Sequence, residues 1–310
     1  MRHRHAFRFV LSAAVAALLS IPAVASASFT SDGTASIKTA ATSPPHVMVI
    51  MEENRSYKDI IGCACAPYLN SLASKYTLAT QSYSLHHDSL PNYLAMTSGT
   101  TWGCGSSSCG PFPGPDIASE LSTHGVSWRA YMETMPSACS TALSYGDYVR
   151  RHNPFVYLSD VLHNNCTQRV VPYTLTRLRS DLNSTAPPAF VWITPNLVHD
   201  MHSASVQDGD TWLKANLPTV LASKWYAQGG VVILTFDEGA AGDATYMTAG
   251  TAGGGHIVTL VISAKSTGHY TTAFNEYGIL RALERAYGVA LLGGARNTSN
   301  GDISAALHLV

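Results

Sequence analysis

Four continuous apolar runs punctuate the chain, at 46–51 (HVMVIM), 189–194 (AFVWIT), 231–236 (VVILTF) and 256–263 (HIVTLVIS). Short runs of this kind, rich in Val and Ile, predict strands covered on both faces, as in a parallel sheet. Between them apolar residues return every three or four positions over 67–75, 92–98, 117–124, 208–223 and 275–287, with Pro or Gly near several ends, and these segments predict amphipathic helices. The alternation of strand and helix predicts an α/β fold with a largely parallel central sheet and helices on both of its faces. In such sheets ligands collect in the loops that leave the carboxyl ends of the strands. Here the first three runs lead into Glu52, Glu53 and Asn54, then Asn196, His199, Asp200 and His202, then Asp237 and Glu238. All are residue types that bind metals or move protons.

Ahead of the first run, Arg2, Arg4 and Arg8 precede an apolar stretch from Phe9 to Ala25 that closes on Ala25-Ser26-Ala27. This pattern predicts a signal peptide over 1–27, cleaved after Ala27, and therefore a secreted protein. Residues 28–45, rich in Ser, Thr and Ala without apolar period, are expected to form a flexible arm, and 46–310 a single domain. The six cysteines all lie beyond the cleavage point. In an exported chain they predict disulfides, with local pairs Cys63–Cys65 and Cys104–Cys109 and a longer Cys139–Cys166 link as the leading connectivity among many. A zinc site is the other reading, but the spacings do not make two C-x-x-C pairs.

Charge narrows the partners. With 19 Lys+Arg against 20 Asp+Glu and only 13% of residues charged, the chain has no basic field to draw in nucleic acid or acidic lipid. No nucleic acid, stable membrane insertion or protein partner is expected, and an anionic ligand must be captured locally.

One parallel sheet would bring Glu53, Asp237 and Glu238 to a single edge, where like charges repel unless a cation or a shared proton neutralises them. A lone carboxylate more often caps a helix or faces water, but three at neighbouring strand ends point to a divalent metal. A second cluster is His86-His87-Asp88-Ser89-Leu90-Pro91-Asn92-Tyr93. Ser89 stands where a helix begins, and helix N-termini favour both a phosphate and an ionised serine oxygen. On its own Ser89 would read as a plain N-cap.

These residues resemble the bacterial phosphoesterase family of secreted acid phosphatases and phospholipases C, within the alkaline phosphatase superfamily. The matching segments are Met51-Glu52-Glu53-Asn54-Arg55-Ser56-Tyr57, Ser89-Leu90-Pro91-Asn92-Tyr93, Arg151-His152-Asn153-Pro154-Phe155, Thr194-Pro195-Asn196 with His199-Asp200-Met201-His202, and Phe236-Asp237-Glu238-Gly239, in the family's order. The resemblance implies an alkaline-phosphatase-like fold and a phosphate-ester substrate. It implies Ser89 as nucleophile and metal ligand alongside Glu53, Asp237 and Glu238. It assigns Asn54, Asn92, His199 and His152 to substrate and Asp200, His202 and His256 to acid/base work. Glu238 stands where better-known superfamily members carry histidine, so an oxygen-rich site open to Ca, Mg or Mn as well as Zn is implied. Asn196 replaces a common aspartate, which implies one metal per chain. The expected activity is phosphomonoester hydrolysis through a phosphoserine. A phospholipase C-type phosphodiesterase and a non-catalytic phosphate-binding protein are the alternatives, and the absence of a G-x-S-x-G elbow counts against a serine esterase.

Overall fold

The computed structural model describes residues 43–105, 107–248 and 253–309, so the predicted signal peptide and nearly all of the predicted arm lie outside the described residues. The central sheet has eight strands: β1 (Val47–Glu52), β2 (Thr77–Tyr83), β3 (Trp128–Met132), β4 (Val170–Pro172), β5 (Phe190–Thr194), β6 (Val231–Phe236), β7 (His256–Ile262) and β8 (His269–Tyr270). Their order across the sheet is β8-β2-β7-β6-β1-β5-β3-β4. β1 runs parallel to both of its neighbours, β5 and β6. β7 alone runs against the rest, antiparallel to β2 and to β6. No helix separates β6 from β7 among the described residues, so the chain turns back beside the strand it has just left instead of crossing over.

All six residues of β1 are buried, which is why its sequence lacks polar alternation. Its side chains alternate between two cores. Val47, Val49 and Met51 pack with Leu94, Leu121 and Leu283 from the helices Ser89–Ser98, Ile117–Thr123 and Glu276–Tyr287 on one face. Met48 and Ile50 pack with Leu69, Leu178 and Leu213 from Pro67–Lys75, Leu175–Leu182 and Val206–Leu221 on the other. Helices therefore cover both faces, as the apolar runs imply. β2, β3, β4 and β8 carry no comparable run. Arg129 in β3, for instance, is a charged strand residue matched by Asp181, which accepts from Arg129 Nη1 at 2.7 Å.

Register does the functional placing. Glu52 pairs with Phe236, and the Asp237 backbone N–H donates to the Glu52 carbonyl at 2.9 Å. Glu53 and Asp237 therefore step off the sheet side by side. The three disulfides are Cys63–Cys65, Cys104–Cys109 and Cys139–Cys166, the expected connectivity. No described helix is long and apolar enough to cross a membrane.

Candidate active site

Asn54 follows Glu53 with φ +53°, a left-handed conformation that asparagine tolerates better than most residues. That turn directs the Asn54 N–H to Asp237 Oδ1 at 3.2 Å. Glu53 and Asp237 are fully buried. Burial first, and Asp237 next, push the Glu53 carboxyl well above its ordinary range; burial likewise raises Asp237. Glu238 is pushed up to about 9 by burial and by Asp237.

Ser89 opens the helix Ser89–Ser98. Its Oγ donates to Glu53 Oε2 at 3.1 Å and lies 3.4 Å from Glu238 Oε1. The turn that aims it is braced by Asn92. The Asn92 amide donates to the carbonyls of His86 and Asp88 at 2.8 and 3.2 Å and accepts from the His86 N–H at 3.0 Å. Asn92 is fully buried and acts on the backbone of the serine loop; the expected contact with phosphate would need an amide already engaged. One helical turn past Ser89, Tyr93 OH donates to Glu53 Oε1 at 2.6 Å. Tyr93 sat unassigned in the motif, although its four-residue offset from Ser89 places both on one helix face.

A third group comes from the turn Arg150–His152 after the ribbon Ser144–Tyr145/Tyr148–Val149. His152 is buried, stacked on Tyr93 with ring centroids 5.6 Å apart. Its Nδ1 is 3.2 Å from Asp200 Oδ2 and its Nε2 is 3.2 Å from Glu53 Oε1, the latter out of line for a hydrogen bond. Burial drives its pKa down to about 3, so the ring is neutral. With Nδ1–H given to Asp200, Nε2 turns a lone pair toward a carboxylate oxygen. Asp200 is raised by burial to about 7 and accepts from the His202 N–H at 2.8 Å. His202 Nε2 receives a hydrogen bond from Arg151 Nη2 at 3.1 Å, and burial is the main cause of its lowered pKa.

Two expected site residues lie apart. His256 is stacked on both Tyr57 and Tyr83, with Nε2 3.1 Å from the Thr80 carbonyl. His199 Nδ1 meets Glu133 Oε2 at 2.8 Å and its ring stacks on Trp212. Asn196 caps that same loop, accepting from the N–H groups of Val198 and His199 at 3.1 and 3.0 Å. Ser89, Asn54, Arg151, His202, Glu238 and His87 line a cleft of about 260 Å³. His87 Nδ1 contacts Glu238 Oε2 at 2.9 Å.

This donor set fits a divalent cation. Asp237 Oδ2 is buried without a partner, burial and then Asp237 raise both Glu53 and Glu238, and ligand atoms of Glu53, His152 and His202 lie within 4.8 Å of one another.

Residues 63–290 match the Phosphoesterase family. A phosphatidylinositol-3-phosphatase of Mycobacterium tuberculosis is 32% identical over 255 residues, 81% of this chain and 80% of that protein. An acid phosphatase of Aspergillus fumigatus is 30% identical over 203 residues, 63% of this chain but 44% of the relative, so the chain spans less than half of that protein. A solved protein of the alkaline phosphatase superfamily from Vibrio parahaemolyticus shares the fold, with a TM-score of 0.60 and 12% identity over 83% of this chain and 70% of that one. The chain thus belongs to the Phosphoesterase family and is a phosphoric-ester hydrolase built on an alkaline-phosphatase-superfamily fold.

Proposed function

We propose that this protein is a secreted, metal-dependent phosphomonoesterase of acid phosphatase type, a single domain over 46–310 that works through a phosphoserine at Ser89. The observation that carries the reading is the position of Ser89 Oγ, 3.1 Å from Glu53 Oε2 and 3.4 Å from Glu238 Oε1 in the lining of the cleft. A hydroxyl so placed beside two carboxylates can be activated as a nucleophile. Relatives named as phosphatases support the reaction class. Three disulfides support export.

Glu53, Asp237 and Glu238, with Ser89, would hold one divalent metal, which when bound lowers the serine pKa and neutralises charge on a phosphate oxygen. The chain's own residues do the rest. Ser89 Oγ passes its proton to Glu53 Oε2, to which it already donates at 3.1 Å, and attacks phosphorus in line; its bond to phosphorus forms as the ester P–O bond breaks, and the leaving oxygen takes a proton from protonated His202. The N-terminus of Ser89–Ser98 faces the phosphoryl oxygens, and Asn54 lines the same cleft. In the second step water attacks the phosphoserine, the now neutral His202 accepts the water's proton, and Ser89 leaves as it takes its own proton back from Glu53. Asp200 steadies the site by holding the His202 N–H and His152 Nδ1.

The 32% identical relative named for a phosphatidylinositol phosphate favours a second reading of the substrate, in which the monoester is carried on a lipid head group. A test of both uses p-nitrophenyl phosphate, phosphatidylinositol 3-phosphate and p-nitrophenylphosphorylcholine. Ser89→Ala is expected to lower kcat on either monoester by at least about a thousandfold with an unchanged melting temperature. Acid-quenched wild-type enzyme should carry phosphate on Ser89 by mass spectrometry. Near-wild-type turnover in Ser89→Ala removes the serine from the chemistry, preference for the phosphorylcholine diester replaces phosphatase with phospholipase C, and saturable phosphate binding without release leaves only a binding protein.

A further inference from the structure

The cleft that holds Ser89 is small for a whole ester. Its volume of about 260 Å³ falls below the roughly 300–1,000 Å³ of sites that enclose a small molecule, so a bulky alcohol has to extend beyond it. A second cavity of about 500 Å³ adjoins the cleft and shares three of its lining residues, Asn54, His87 and Glu238. Ser89 lines the first space and not the second. In-line displacement sets the leaving oxygen on the side of phosphorus away from the attacking one, and the second cavity opens across the shared wall from Ser89.

The rest of that cavity is lined by Arg55 and by Ala240, Ala241 and Gly242 of the loop after Glu238. The loop is fastened on both sides of its tip. The Ala240 N–H donates to Ser56 Oγ at 3.0 Å, and Ser56 Oγ donates to Asp243 Oδ2 at 2.6 Å. The Asp243 N–H returns to the Ala240 carbonyl at 3.0 Å, and the Asp243 carbonyl lies 2.9 Å from His87 Nε2. Arg55 Nη2 is committed to the carbonyls of Met201 and Ala204 at 2.8 and 2.7 Å, which makes it a fixed wall. Two methyl groups and a glycine then present an apolar surface with no side-chain hydrogen-bonding group, and their small size keeps the space open.

We infer that this second cavity is the leaving-group site, suited to uncharged, ring-sized groups such as aryl alcohols and phenols, with Ala240 and Ala241 setting its size; this rests on the phosphomonoesterase reading above. An aromatic ring laid on the two methyl groups leaves water as it binds and gains in proportion to the apolar area covered. A methyl or ethyl group covers too little of that surface to gain as much. A charged leaving group would lose water there without finding a partner on the loop.

The experiment compares wild type, Ala241→Ser and Ala241→Leu, each full-length mature protein loaded with metal, on 1-naphthyl phosphate and ethyl phosphate. Ala241 is exposed at the loop tip, so leucine there leaves the core alone, and melting temperature checks the folding. Ala241→Leu is expected to lower kcat/KM for the naphthyl ester by about 10- to 100-fold, the scale on which a fitted apolar pocket discriminates by a methylene or two. The loss on ethyl phosphate should be at least about tenfold smaller, and Ala241→Ser should fall between wild type and Ala241→Leu on the naphthyl ester. A second measurement needs no variant: phenylphosphonate should inhibit the wild type at least about tenfold more tightly than methylphosphonate, and it decides the matter if Ala241→Leu does not fold. Equal losses on both esters, no loss on the naphthyl ester, or equal inhibition by the two phosphonates overturns the inference while leaving the hydrolase reading intact. Failure of wild type to release phosphate from either ester overturns the hydrolase reading itself.

Discussion

Asp237 and Glu284 are both fully buried acids, yet they sit in opposite circumstances. Glu284 lies in the helix Glu276–Tyr287, where Oε1 accepts from the Leu292 N–H at 2.9 Å. Burial lifts its pKa to about 8 against the pull of Arg296 and Arg281, so a single proton settles the charge. Each acid keeps one buried oxygen without a partner, but Asp237 has two further carboxylates, Glu53 and Glu238, and the Ser89 hydroxyl as company. Single protons cannot satisfy several carboxylates facing one another as well as one shared cation can. A buried acid alone thus speaks of helix packing; a buried group of them at strand ends speaks of a metal.

The largest expected effect that tests this contrast is chelation. Dialysis against EDTA should abolish p-nitrophenyl phosphate hydrolysis, and one of Ca, Mg, Mn or Zn should restore it. Full activity after metal has been removed to below stoichiometric levels, measured by mass spectrometry, would dissolve the distinction between the two regions. Next in size, Asp237→Asn should weaken metal binding by about 10- to 100-fold and, because it relieves like-charge repulsion, raise the melting temperature of the metal-free protein by about 2–4 °C. A drop in the metal-free melting temperature would mean that the carboxylates do not strain the empty site.

The smallest effect belongs to Glu284. Its folded pKa of about 8 lies above the unfolded value of roughly 4.3, so the folded state holds the extra proton. Its contribution to stability is complete below the unfolded value and is lost as pH rises through the folded one. Glu284→Gln keeps an acceptor for the Leu292 N–H, and should flatten the fall in melting temperature between pH 5 and 9 by about 2 °C without altering the chelator response. An unchanged pH profile would assign that slope to other groups, Glu276 among them, which burial also lifts to about 8.

Much of the site was legible because its pieces are local. Glu53 and Asp237 follow apolar runs long enough to read as central strands, and Ser89 precedes a helical period. Other pieces were hidden. Tyr93 reads as a core aromatic, and only its hydrogen bond to Glu53 links it to the carboxylates. His152 follows no apolar run, and a short ribbon and turn bring it beside Asp200 and Glu53. His256 heads a strand as expected, but that strand is the antiparallel one, and its ring is taken up by Tyr57 and Tyr83.

The chain by itself determined which segments become buried strands and which residue types leave their ends, because burial on both faces and helical period are written in short stretches. Tertiary structure alone decided which of those residues meet. The pairing of Glu52 with Phe236 sets Asp237 beside Glu53, and the packing of distant turns delivers His152 to Glu53 and Asp200 and Arg151 to the cleft wall. Strand order and register follow from the joint packing of two cores, a long-range balance of burial against chain entropy that no local pattern encodes.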